Sequence, residues 1–416
     1  MPLTIPSLIY PVFESSLLVG REQTIDTAPT AFTGIPCAAL QTKQNVQMLM
    51  DQNLRGSNVK TYDMEAGPEW AEITVPESPL YGDTIGHILF SSLGDYTSTG
   101  TAATPNSTLS GGVAAGATSI TVASGTGFAL NQWIQIDTLA NAEIVKVLSV
   151  ASNVITLATN TPLRFSHLTG VAVTNTTANY THVFSLLNPG ASTGNTSAQP
   201  PTYTWLHRNL IAGSGNFNAD QYSYVRVTDL NLTAKKDGWL SWDAKANAYL
   251  RGFPSADYPP SFTSVKANPS WKSVIMFAGT QNYTVSELKI GLQREMDIVT
   301  TADGSQNPYV IAAGPVTATF SADFDAQSDE AQINNLINNT QPTLSYSITN
   351  GASPPNTVSV TITAQLAGYK DAPLSAVKSL WGVKASGELI ANTTNAGNSG
   401  GYSPLQVTLV NGIPSY

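Results

Sequence analysis

Apolar and polar positions alternate with a period of two in short runs along this chain, and turn residues separate the runs. In SITVA (119–123), Ile120 and Val122 alternate with Ser119, Thr121 and Ala123, with glycines on both sides. That pattern predicts a strand with one buried face. WIQI (133–136), EIVKVLSV (143–150), NVITLAT (153–159) and GVAV (170–173) follow at short intervals rich in Gly, Asn and Thr. Spaced this way, they predict a sandwich or barrel of about five strands. YTSTGTAATPNSTLS (96–110) before them and TNTTAN (174–179) after them read as linkers. Residues 104–178 therefore have the outline of a compact module between two flexible stretches.

The rest of the chain repeats the strand pattern with two interruptions. TAFTGIPCAAL (30–40) reads as a loop entering a strand. NVKTYDMEAGP (58–68) reads as a strand around Val59 and Thr61 followed by a loop, and EWAEITV (69–75) resumes the strand with Trp70, Ile73 and Val75. Together they predict a long hairpin around a Gly-containing loop. DTIGHILFSSLG (83–94) changes period. Ile85, Ile88 and Leu89 share a helical face, Asp83 is placed to cap the start and Gly94 to close the end.

Strands are predicted again at 181–190, at 224–232 with one slip suggesting a bulge, and at 238–252, 271–280, 283–301 and 316–324. QSDEAQINNLINNT (327–340) predicts a second helix, with Asp329 as cap and Gln332 as its capping-box partner. TLSYSITN and TVSVTITAQL form a hairpin around GASPPN, LWGVKASGELIANTT follows, and LQVTLVN (405–411) is a final strand. No helix–strand alternation of the parallel-sheet kind occurs. The fold class is all-β, antiparallel, with two short helices.

Composition narrows the function. Only 11% of the 416 residues are charged, while 42% are hydrophobic. Disorder pairs low hydrophobicity with high charge, so this balance suits short strands and surfaces covered by partners. The net charge of −9 disfavours a groove that grips phosphates. The single cysteine, Cys37, permits no intrachain disulfide and reads as a small buried hydrophobe. MPLTIPSLIYPVF lacks a basic segment and carries three prolines, unlike a signal peptide. No apolar run is long enough to span a bilayer, so no membrane partner is expected.

Candidate chemistry is sparse. GNSGG (397–401) resembles a serine-protease nucleophile loop, but the family's His motif is missing and Asn398 stands where its acid would be. A glycine-rich turn is the better reading. SGTG lacks the third glycine, the lysine and the helix of a phosphate loop. His87, His167, His182 and His207 form no helical pair for a metal. Trp133, Trp239, Trp242 and Trp271 fall within predicted strands, which favours core or interface packing over sugar binding. No catalytic residue, metal or cofactor is expected.

SLLVGREQTIDTAPTAFTGIPC, WAEITVPESPLYGDTIGHILFSSLGDY, YSYVRVTDLNLTAKKDGWLSWDAKANAYLRG, the helix near 329–339 and LQVTLVNGIPSY resemble, in this order, the tail tube (major tail) proteins of tailed bacteriophages. AGATSITVASGTGF, AEIVKVLSV and TPLRFSH resemble a small β-domain often inserted in phage virion proteins.

The resemblance implies a tail-tube β-sandwich in two parts, 1–103 and 179–416, with an outward-facing inserted β-domain at 104–178. It implies hexameric rings stacked into a tube, with strands from six subunits closing an inner barrel. A long hairpin then reaches the neighbouring ring, and the candidate here is residues 50–75, including Arg55, Met64 and Trp70. The implied partners are further copies of the chain and the tape measure, terminator and distal tail proteins. Genomic DNA would pass through the lumen without specific binding, in a virion made in the host bacterial cytoplasm. A terminator, baseplate or decoration protein, a carbohydrate-binding adhesin carrying Trp133, and a hydrolase using Ser399 are the competing readings.

Overall fold

The computed structural model describes residues 15–416 except 54, 57, 101–102, 131, 138–140, 142, 159–162, 176–179, 190–197, 211–216, 255–256, 261, 263–264, 326–330, 352–356, 378 and 414. The fold is all-β, with 55% of residues in strands and 5% in helices.

The main sheet has the order β3 (Gln41–Asp51), β4 (Asp63–Pro79), β15 (Ser241–Ala248), β14 (Phe217–Lys235), β18 (Val285–Val299), β19 (Val310–Phe324), β24 (Leu380–Leu389) and β22 (Ala367–Asp371). β23 (Leu374–Val377) pairs with the start of β24. The first part of β14 leaves this sheet for β13 (Tyr203–Leu210), β1 (Ser16–Arg21) and β2 (Thr33–Ile35). At the change of partners Tyr224 has a left-handed φ of 55°, and its N–H donates to Glu22 Oε1 at 2.8 Å. The slip in YVRVTDLNL is a bulge between Val227 and Asp229.

A second sheet has the order β17 (Thr280–Gln281), β16 (Val274–Phe277), β20 (Leu344–Thr349), β21 (Ser359–Ala364), β25 (Gln406–Asn411), β12 (Tyr180–Leu186) and β5 (Gly94–Thr99). One continuous core spans both sheets and helix α1 (Gly86–Leu93), with Trp242, Phe324, Tyr346 and Phe184 among its largest members. Helix α2 (Ala331–Ile337) packs on β22 and β24.

Strands β6 (Ala103–Thr108), β7 (Ser119–Thr121), β8 (Trp133–Ile136), β9 (Glu143–Ala151), β10 (Val154–Leu157) and β11 (Ala172–Asn175) form a third sheet. It has a core of its own, including Ile120, Ile134, Val147, Ile155 and Val173. The chain reaches it from β5 and returns to β12, and these two strands are paired up to Thr99 and Thr181.

Several sequence expectations are corrected. Residues 96–110 are not a linker, because β5 and β6 occupy most of them; their threonines suit strands once partners exist. The hairpin's second strand starts at Asp63, where a loop was expected, and 58–62 lie in the connection. The partner β3 goes unpredicted, since its first five residues are all polar and none of its residues is fully buried. β13 is hidden for the opposite reason: Tyr203, Thr204, Trp205 and Leu206 are all buried.

Asp83 does not cap α1. The first helical turn is preceded by Ile85 with no side-chain cap, while Gly94 closes the helix with φ 84° and an N–H bond to Phe90 O. The proposed cap Asp329 and the turn 352–356 lie outside the described residues. Of the four tryptophans expected in strands, Trp242 is core, Trp239 and Trp271 are exposed outside strands, and Trp133 is half-buried in β8.

Candidate assembly interface

β4 pairs with β15 only over Ala71–Pro79, yet it continues back to Asp63 with β3 as its sole partner there. These eight residues carry the hairpin roughly 27 Å along the strand direction at about 3.4 Å per residue. The base is braced rather than free. Gln306 Nε2 donates to Ala66 O (3.0 Å) and Gly67 O (3.2 Å), and Glu69 N–H donates to Gln306 O at 2.9 Å.

Beyond the brace the hairpin is solvent-facing, and apolar side chains stand exposed among its polar ones. Register places Met48 opposite Ala66 and Met50 opposite Met64, so the three methionines share one face. All three are exposed, with Met50 at 55% and Met64 at 53%. Leu49, on the other face, and Val59, in the connection, are exposed as well. Methionine is unbranched and polarizable and fits irregular partner surfaces. Half of the chain's six methionines stand in this one hairpin.

The three residues singled out from sequence occupy different stations. Met64 lies on the methionine face. Arg55 is in the connection, where it forms an ion pair with Asp51 and stacks on the Tyr62 ring at 4.8 Å, ordering the tip from within. Trp70, opposite Asn45, is half-buried near the base. Sequence reasoning singles out neither Met48, which lies before the 50–75 candidate, nor Met50, which lies at its start.

The main sheet has one apolar and one polar face. On the polar face, lysines meet carboxylates across strands: Lys43 with Glu72 (3.6 Å), Lys384 with Asp323 (3.0 Å) and Lys370 with Glu388. Asn231 Nδ2 donates to Asp243 Oδ1 at 2.7 Å on the same face. Cations held this way are poorly placed to grip phosphates.

The remaining chemical candidates are structural. Ser399 is buried; its N–H donates to Asp95 Oδ2 (2.6 Å) and its hydroxyl accepts from Asn188 N–H (3.1 Å). Gly400 and Gly401, both at positive φ, complete a turn. His167 lies between Glu143 Oε1 (2.6 Å) and Asp137 Oδ2 (3.1 Å). Burial opposes its protonation, but the bonds to the two carboxylates outweigh that and raise its pKa. His87 packs edge-on against Tyr203 and Tyr416; burial, with Arg21 nearby, lowers its pKa to about 4. Cys37 is half-buried, and burial pushes its thiol to about 11. Among the described residues no group of three or more His, Cys, Asp or Glu is placed to hold a metal, and no helix is long and apolar enough to cross a membrane.

A family model described as phage tail tube protein matches residues 13–400. The chain belongs to the phage tail tube protein family. Membership makes it a structural protein of the phage tail and a virion component, one that assembles with itself and with other tail proteins. No curated protein matches the chain.

Proposed function

We propose that copies of this chain form hexameric rings that stack into a non-contractile tail tube, the conduit for DNA ejection. The observation that carries this reading is the braced β3–β4 hairpin, which projects an exposed methionine face past the sheet. In the proposal, Met64 contacts the neighbouring ring, Arg55 shapes the tip and Trp70 steadies the base. The main sheet supplies the ring-closing strands, with β3 at one edge and β22 and β23 at the other. Closing a ring removes those edges, which otherwise invite uncontrolled pairing.

The polar face of the main sheet lines the bore in this reading. Its carboxylates Glu72, Asp323 and Glu388 are paired with Lys43, Lys384 and Lys370 and keep the face from becoming strongly basic, so DNA slides without being held. Residues 104–178 form an inserted domain on the outside, between the tube-forming parts 1–103 and 179–416. Support comes from its own core and from its attachment through β5 and β12, strands of the second sheet. A domain there leaves no room for a contractile sheath. The tape measure, terminator and distal tail proteins are the other partners, and synthesis takes place in the host cytoplasm. The reading calls for no catalytic group or cofactor.

Sedimentation of the purified chain against concentration tests the proposal. Concentration-dependent conversion to very large particles is expected, and a species that stays monomeric throughout would refute it.

A further inference from the structure

Two arginines are buried without a counter-ion beside the C-terminal end of α1. Arg226 of β14 and Arg294 of β18 are 4% and 7% exposed. Among the described residues the arginines in ion pairs are Arg55, Arg208 and Arg251, so neither of the buried two meets a carboxylate. Their bonds go to uncharged groups instead. Arg226 Nη1 donates to Ile311 O (2.8 Å) and to Gln199 Oε1. Arg294 Nη1 donates to Gly314 O (3.2 Å), and its Nη2 donates to Ser92 O (2.9 Å) in the last turn of α1. These partners lie together. Gln199 Nε2 donates to Ala313 O (3.0 Å) and Gln199 Oε1 accepts from Ala313 N–H (2.8 Å), which holds the amide against residues 311–314 of β19.

A guanidinium has five N–H donors and no acceptor. The four bonds above leave the Nε of each arginine without a partner, and Arg226 Nη2 makes no hydrogen bond among the described residues. The two cations also oppose each other: burial and Arg226 lower the Arg294 pKa to about 10, still far enough above neutral to keep it charged. Glu22 attracts Arg226 from beyond ion-pair distance, but its oxygens already accept from Tyr224 N–H, the Thr204 hydroxyl and Asp26 N–H. The Tyr224 ring lies 5.3 Å from the Arg226 Cζ. Buried charges are ordinarily paired, because nothing else makes up for the water they lose. Gln199, Ala313 and Gly314 are half-buried, so the cluster sits just beneath the surface, within reach of a small solute.

We propose that Arg226 and Arg294 hold a small monovalent anion from solution, chloride or a simple carboxylate, which accepts from Arg226 Nη2 and the open donors of Arg294. The bound anion ties β14, β18 and β19 to the end of α1 within one subunit, and it needs no contact with another copy.

Melting of the full chain at fixed protein concentration and ionic strength tests this, with sodium gluconate, whose anion is too bulky for the site, replaced stepwise by chloride or by acetate. A saturable rise in melting temperature is expected with at least one of the two, since a ligand of the folded state stabilises it by mass action. The rise is expected to vanish in Arg226→Met with Arg294→Met. No rise in the parent, or an equal rise in that variant, overturns the site. Should the double variant not fold, Arg226→Lys decides. It keeps the charge but loses the Nη2 donor, so the half-saturating concentration is expected to rise about tenfold; an unchanged value overturns the site. A density map of the protein in the effective anion is expected to show an isolated peak beside Arg226 Nη2. An empty map there, or density continuous with an acidic side chain of a neighbouring copy, overturns the solution anion.

Discussion

Met50 stands directly across from Met64 in the β3–β4 hairpin, and both side chains are more than half exposed. An exposed cross-strand pair adds little to the isolated fold, and in the proposed tube it contacts another copy. Met50→Ser with Met64→Ser is therefore expected to leave thermal stability within about 0.5 kcal/mol of the parent. The same change should raise the concentration needed for assembly about tenfold or more. Calorimetry paired with sedimentation separates the two effects.

Truncation in the two cores should give different unfolding signatures. Trp242 is fully buried in the core shared by the main and second sheets. Trp242→Ala is expected to cost about 3–5 kcal/mol there. Ile155 belongs to the separate core of β6–β11. Ile155→Ala should cost about 2–4 kcal/mol, felt as faster proteolysis within 103–175 while assembly continues. Loss of assembly in Ile155→Ala would instead make that region part of the tube wall.

Two histidines give opposite pH responses. His87 is held to about 4 by burial and Arg21, while in the unfolded chain it titrates near 6.5. Between those values the unfolded chain binds more protons, so stability falls as pH falls through this window, by roughly 3 kcal/mol in total. His167 behaves in reverse. Its pKa is raised by Glu143 and Asp137 against the effect of burial, so its contribution is full below the unfolded value and is lost as pH rises through the folded one. Melting temperatures should fall as pH drops from about 6.5 towards 4 for the body, and as pH rises through the raised His167 value for residues 103–175. His87→Gln and His167→Gln should flatten the respective response.

Tyr416 packs its ring against α1 where only a glycine fits. A side chain at Gly86 would place its Cβ 2.3 Å from Tyr416 Cζ. The Tyr416 hydroxyl also donates to Asp83 O and accepts from Asn411 Nδ2. Gly86→Ala is expected to expel the ring and cost about 1–3 kcal/mol, visible as increased fluorescence quenching of Tyr416 and faster exchange of the α1 amides.

How much of this was readable from sequence depends on burial. Strands with one buried face, such as SIT at 119–121 and LQVTLVN, announce themselves by alternation. Strands buried on both faces, like β13, or fully buried on neither, like β3, do not. The β3 strand mattered most, since it carries Met48 and Met50 and defines the hairpin that the contact hypothesis needs. Arg55 was recognisable as part of that region, but its ion pair with Asp51 and its stacking on Tyr62 depend on how the connection folds back. The ion-paired face of the main sheet was equally hidden, because Lys384 and Asp323, or Lys43 and Glu72, meet only through strand register.

Negative-stain electron microscopy of the purified chain tests the central claim most directly. The account predicts long hollow tubes built of stacked rings, decorated on the outside, and tubes without decoration when residues 104–178 are deleted. A field of single particles or isolated rings that never stack at any concentration would contradict it.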